Sequence, residues 1–277
     1  MHKKTFLTGV LIFTVGFFTG SIIPLITGHP FLGPTAEVPK PKTSDGPEYN
    51  NRQVTVTDLV KLFPKLITRQ GSPKGTSLAL TFDDGPDQQY TPQILNTLKK
   101  YQIKATFFVI GNQIQKYPDV FKRIIKEGHE VGIHGFQHLK ISELPLAKVN
   151  YQLSETNKLI MKYGGPKQTI FRPPYGALDP KAADYIGKKG YNIVLWTIDS
   201  LDWRSLKKDQ VVKNVVPKLK RGYIVLQHSA SETKLEDLSG SVDALPTIIE
   251  SAKKQGYQFV KVSQILSEVK KQTATGR

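Results

Sequence analysis

From Gly71 onward the chain alternates two hydrophobic periods, and this restricts the fold more than any other feature of its 277 residues. Apolar runs of strand length stand at 77–82, 105–110, 130–134, 169–171, 192–198, 223–227 and 258–260. Helical patterns fill the gaps at 91–101, 118–127, 146–163, 180–189, 209–220 and 242–254. Several of them close on a glycine, Gly128 and Gly256 among them, as a left-handed helix stop requires. Strands that alternate with helices pair in parallel and are buried on both faces, so the class is α/β. Six or seven such units point to a barrel rather than an open sheet. In barrels of this kind the chemistry lies just beyond the carboxyl ends of the strands.

The amino end has a different character. His2, Lys3 and Lys4 precede an uncharged apolar stretch from Thr5 to Thr27. As a helix it would reach roughly 34 Å, enough for a hydrocarbon core of about 30 Å. The expected organisation is a membrane anchor over 1–27, uncleaved rather than removed as a signal, with the amino end inside. A linker over 28–52, carrying Pro30, Pro34, Pro39, Pro41 and Pro47, is expected to reach outward as a semi-extended tether. The catalytic domain then occupies 53–277 and faces the extracellular side; loss of the first segment would make the protein secreted. Residues 54–70 read as a short strand and an amphipathic helix capped by Thr57 or Asp58, with Pro64 interrupting the pattern. The net charge of +16 suits an anionic wall polymer or lipid headgroups, and equally a set of scattered solvated lysines. An outside location and the lack of zinc-finger or Arg-rich-helix patterns argue against nucleic acid. With no cysteine, disulfides and thiolate metal sites are excluded, and any metal must be held by His and carboxylate.

Five strand ends carry polar residues. Phe82 runs into Asp83-Asp84-Gly85-Pro86, the third strand ends at His134 with His138 four residues on, and Phe171 leads into Arg172-Pro173-Pro174-Tyr175-Gly176. Ile198 leads into Asp199-Ser200-Leu201-Asp202-Trp203, and Leu226 into Gln227-His228. Taken singly these also read as turns, helix caps or stray loop histidines. Taken together in one apolar framework they describe a site. One carboxylate with two imidazoles gives three ligands and leaves positions open for water and substrate, the pattern of a catalytic metal.

In this order the five segments resemble the motifs of the NodB-like polysaccharide deacetylases (carbohydrate esterase family four), over about Leu78 to Leu266. The resemblance implies an irregular, partly open (β/α) barrel of about seven parallel strands, here preceded by one N-terminal transmembrane helix and a Pro-rich linker. It implies a hydrolase that removes N-acetyl groups from an amino-sugar polymer such as peptidoglycan or a chitin-like glycan. Asp84, His134 and His138 would hold a divalent metal, zinc first, with cobalt or another ion as substitutes. Asp83 would be the general base, oriented by Arg172. His228 would be the general acid, with Asp199 buttressing its imidazole. The backbone N–H of Tyr175 would meet the oxyanion, and Trp203 and Leu226 would wall a slot for the acetyl methyl group.

Two positions depart from that family's pattern. Gly135 stands where Ser or Thr usually follows the first ligand histidine, which is expected to weaken or loosen the metal site. Ser229 stands where Asp often follows the last histidine, with little expected consequence. Two alternatives remain open at this stage: a catalytically weak glycan-binding or regulatory member of the same fold, or an esterase acting on O-acetyl groups of xylan or another glycan.

Overall fold

The computed structural model describes residues 55–231 and 236–275. The expected anchor over 1–27 and linker over 28–52 lie outside the described residues. Among those described, no helix is long and apolar enough to cross a membrane.

The strands are β1 (Ile67–Thr68), β2 (Ser77–Asp83), β3 (Thr106–Val109), β4 (Glu130–Ile133), β5 (Ile170–Phe171), β6 (Asn192–Val194), β7 (Ile198–Asp199), β8 (Ile224–His228) and β9 (Gln258–Phe259). The helices are α1 (Val56–Leu62), α2 (Thr91–Lys100), α3 (Gly111–Lys116), α4 (Pro118–Lys126), α5 (Leu146–Lys162), α6 (Pro180–Lys188), α7 (Lys208–Val215), α8 (Ser239–Lys254) and α9 (Val262–Thr275). All strand pairs run parallel, in the order β1-β6-β5-β4-β3-β2-β8-β7, with β9 added at the start of β2. The single run expected at 192–198 is two strands. Its first part pairs with β5 and its last part with β8, so one segment serves both ends of the sheet, which therefore curls round. The result is a curled parallel half-barrel, its end strands β1 and β7 unpaired with each other, in keeping with the irregular, partly open barrel that the resemblance implies.

Strand periodicity sorts the residues of β2 into two populations. Leu78, Leu80 and Phe82 join the main core with the apolar faces of the helices, and Phe82 stacks on Phe107 at 5.2 Å between ring centroids. On the other face Ala79 joins Phe108, Ile170, Val194 and Ile224, and α9 adds Val262, Ile265 and Leu266 to that cluster. Thr81 and Asp83 continue the Ala79 row, so the same face turns from apolar to polar toward the carboxyl end of the strand.

The amino-terminal elements come in the reverse of the expected order, because Thr55 and Asp58 form a capping box that starts α1 directly. β1 follows that helix instead of preceding it. Gly128 and Gly256 have φ of +78° each, in keeping with their reading as helix stops.

Candidate active site

Strand register alone brings most of the polar strand ends together. Asp83 is paired with His228 across β2 and β8, and Asp199 with Leu226 across β7 and β8. Ile133 is paired with Phe171 across β4 and β5, so the residues that follow them, His134 and Arg172, leave the sheet side by side. Four residues around these ends take left-handed backbone conformations without being glycine: Asp84, His138, Tyr175 and Leu201, with φ between 55° and 71°. Such conformations cost on the order of 1–2 kcal/mol each and collect where function demands a particular side-chain direction.

Asp84 Oδ1 lies 3.4 Å from His134 Nε2 and 3.3 Å from His138 Nε2, and the three ligand atoms all fall within 4.8 Å of one another. Zinc bonded tetrahedrally at about 2.1 Å requires ligand-to-ligand edges of about 3.4 Å, which the two measured edges match. The tautomers also fit. His134 Nδ1 is 2.8 Å from the carbonyl oxygen of Arg172, which can only accept, so Nδ1 carries the proton and Nε2 presents its lone pair. His138 Nδ1 is 3.1 Å from the Tyr175 hydroxyl. Burial, reinforced by the neighbouring His138, holds His134 well below the usual imidazole range and keeps it in the neutral form a cation needs.

Asp83 is buried beside this triad. Its Oδ1 accepts from Arg172 Nη1 at 2.7 Å, and its Oδ2 is 3.6 Å from His134 Nε2. Arg172 is fully buried, its guanidinium stacked 4.0 Å from the Phe108 ring centroid and bonded to Thr81 Oγ1 and the Val194 carbonyl. Burial raises the Asp83 carboxyl above its usual range, against the opposing pull of Arg172 and then His228. An elevated carboxylate suits a group that must accept a proton near neutral pH.

The partner of His228 corrects the sequence expectation. It is Asp202, not Asp199: Asp202 Oδ1 is 2.7 Å from His228 Nδ1, and Asp202 Oδ2 accepts from the His228 backbone N–H at 2.9 Å. Ser241 Oγ donates to Asp202 Oδ2 at 2.6 Å, and the Trp203 N–H donates to Oδ1 at 3.0 Å. Asp199 instead accepts the backbone N–H of Leu201 at 2.8 Å. That bond, with Leu201 at φ 57°, makes the turn that delivers Asp202 to the imidazole. Burial alone would lower His228, but the charge and hydrogen bond of Asp202, aided by Asp84 and Asp83, push it up to about 10. Burial likewise opposes ionisation of Asp202, yet His228 and the other donors hold it below the usual carboxylate range.

A cleft of about 460 Å³ opens over these groups, lined by Asp84, His134, His138, Tyr175, Asp199, Trp203, Leu226 and His228. Tyr175 and Trp203 stand about half exposed at its rim, while Leu226 is buried in its wall. Asp83 and Arg172 are not lining residues. Trp196, Ala230, Glu236 and Leu238 complete the lining and are absent from the expected set. Trp196 sits in the run between β6 and β7, where the chain leaves one edge of the sheet for the other, and periodicity does not reveal which way it faces.

The polysaccharide deacetylase family profile matches residues 70–194. A peptidoglycan-N-acetylglucosamine deacetylase of Bacillus cereus is 39% identical over 191 residues, 68% of this chain and 87% of that protein. A peptidoglycan-N-acetylmuramic acid deacetylase of Bacillus subtilis is 39% identical over 200 residues, 72% of this chain. Some relatives are longer: the chain spans 40% of the Bacillus subtilis protein and 66% of a second Bacillus cereus enzyme of the same name as the first. Among solved structures, the Bc1960 peptidoglycan N-acetylglucosamine deacetylase superposes with a TM-score of 0.71 at 33% identity, covering 74% of this chain and 95% of that one.

Proposed function

The chain belongs to the polysaccharide deacetylase family, and from that premise we propose that it is a metal-dependent hydrolase of N-acetyl groups on peptidoglycan. The observation that carries this reading is the Asp84–His134–His138 triangle, with its 3.3 and 3.4 Å edges, in the same cleft as His228, whose Nδ1 is held from behind by Asp202. The relatives named for peptidoglycan support the polymer, and leave both N-acetylglucosamine and N-acetylmuramic acid as the sugar. The apolar amino-terminal segment and the basic charge balance support a protein tethered at the membrane with its catalytic domain toward the wall.

Asp84, His134 and His138 would hold a divalent cation, zinc by the donor set, which polarises the acetyl carbonyl and acidifies water when bound. The chain's own groups divide the proton transfers. Asp83 Oδ2, the oxygen not engaged by Arg172, takes the proton from the attacking water. Charge on the carbonyl oxygen is met by the Tyr175 N–H, which a left-handed φ of 59° turns away from the regular chain direction. His228, with Nδ1 bound to Asp202, keeps Nε2–H for the departing nitrogen, and the carbon–nitrogen bond breaks to acetate and a free amine. An amide needs this acid, because without its proton the nitrogen would have to depart as a strongly basic amide anion. Leu226, Leu238 and Trp203 give the methyl group an apolar wall.

The test compares matched N-acetylated and O-acetylated glycans, measuring new amine by mass and by amine-reactive dye. New amine on peptidoglycan fragments is the expected result. Acetate from the O-acetyl substrate alone would replace the amidase reading with an esterase one.

A further inference from the structure

We propose that Gln152 on α5 is the positioning residue of the two-histidine loop, and sets metal affinity by fixing the segment that carries His138. The inference rests on the metal reading of Asp84, His134 and His138. His134 is held at the end of β4, its N–H donating to the Val109 carbonyl of the neighbouring β3, and by the bond from Nδ1 to the Arg172 carbonyl. His138 lies beyond the strand, past Gly135 at φ +93° and itself at φ 55°. Between the two histidines the backbone is gripped from α5. Gln152 Oε1 accepts the N–H of Phe136 at 2.7 Å and that of Gln137 at 2.9 Å. Two donors on one atom identify it as the carbonyl oxygen of the amide. Gln152 Nε2 reaches the Gln137 side-chain oxygen at 3.3 Å, and one turn along α5 Thr156 Oγ1 donates to the Gly135 carbonyl at 2.9 Å.

Gln152 is 1% exposed and Thr156 fully buried, on helix positions where apolar residues are the rule. A buried amide without partners is costly, so its place here is explained by the two backbone donors it satisfies. Gly135 completes the arrangement. A Cβ there would stand 3.3 Å from Gln152 Oε1, on a backbone conformation that side chains rarely adopt. The hydroxyl expected after the first ligand histidine is thus absent from a loop whose bracing comes from the neighbouring helix.

The experiment uses the full-length protein, stripped of metal and titrated with zinc against a chromophoric chelator, with the visible spectrum of the cobalt form recorded in parallel. Gln152→Met keeps the length and removes the acceptor; Gln152→Glu keeps acceptor oxygens at the same reach. Zinc dissociation constants should rise about tenfold or more in Gln152→Met, with a changed cobalt spectrum, and stay near wild type in Gln152→Glu. Gln152→Asn retracts the carbonyl by one methylene and carries the same expectation as Gln152→Met should that variant not fold. Wild-type zinc affinity in Gln152→Met or Gln152→Asn, or equal loss in Gln152→Glu, would overturn the assignment. A wild-type protein that takes up neither ion would instead overturn the metal reading itself, and this inference with it.

Discussion

Asp202 receives four donors, from His228 Nδ1, the His228 and Trp203 backbone N–H groups and Ser241 Oγ, and it is fully buried. Such a saturated carboxylate stays ionised and keeps His228 protonated, so the proposed general acid holds its proton over most of the pH range. His228 loses its proton as pH rises through its folded pKa of about 10, so the fall in turnover attributable to it belongs on the alkaline side. Asp202→Asn should move that alkaline limb of kcat to lower pH; an unmoved limb would remove Asp202 from this role. Asp83→Asn tests the other proton transfer. Turnover should drop by roughly 10²–10⁴ while zinc remains bound, and near-normal turnover would exclude Asp83 as base. Arg172 joins structure to chemistry, since it is buried with its charge answered by Asp83. Arg172→Leu leaves that carboxylate without its ion pair, and unfolding by denaturant should show a loss of about 3–5 kcal/mol.

At the scale of elements, the loops matter more than the strands. The polar strand ends were readable because a buried parallel strand has few reasons to finish in Asp, His or Arg. Asp202 was not assignable, because its contact with His228 depends on the left-handed turn at Leu201 that no periodicity encodes. The helix α3 is also hidden: it has six residues and starts directly behind β3, too short to show a period. By contrast α9 carries Val262, Ile265, Leu266 and Val269 at helical spacing, so the signal for it is present in the chain. Gly135 is the residue whose meaning changes most. The sequence comparison treats it as a lost hydroxyl, whereas its φ of +93° makes glycine the residue the loop requires. Gly135→Ser should therefore loosen zinc binding rather than restore it, by about tenfold if the left-handed conformation costs about 1–2 kcal/mol. Tighter binding in that variant would show that the hydroxyl outweighs the backbone strain.

Over the whole molecule, the barrel separates an apolar interior near the strand starts from a polar one near their ends, and Arg172 is a residue of the polar layer on which stability also depends. His129 shows the stability side. It precedes β4, at the opposite end of that strand from His134, and is buried, its Nδ1 accepting the Ala105 N–H at 3.2 Å. Burial, with Lys104, Arg123 and Lys261 facing it and Glu127 only partly opposing them, lowers it to about 4. Between pH 6.5 and 4 the unfolded chain binds a proton there and the folded chain does not, so this contribution to stability is lost as pH falls. Its size between pH 7 and 5 is about 2 kcal/mol. His129→Asn keeps an acceptor without titrating, and its stability should fall by that much less than wild type over the same interval; parallel curves would contradict the assignment.

The proposed hydrolysis of N-acetyl groups on peptidoglycan depends on a bound cation. The most direct measurement is acetate release from purified peptidoglycan by the chelator-treated protein, before and after zinc or cobalt is returned. Loss of release on chelation and its recovery with either ion are the expected results. Acetate release that survives complete removal of metal, or folded protein that releases none with any ion, would contradict the proposal.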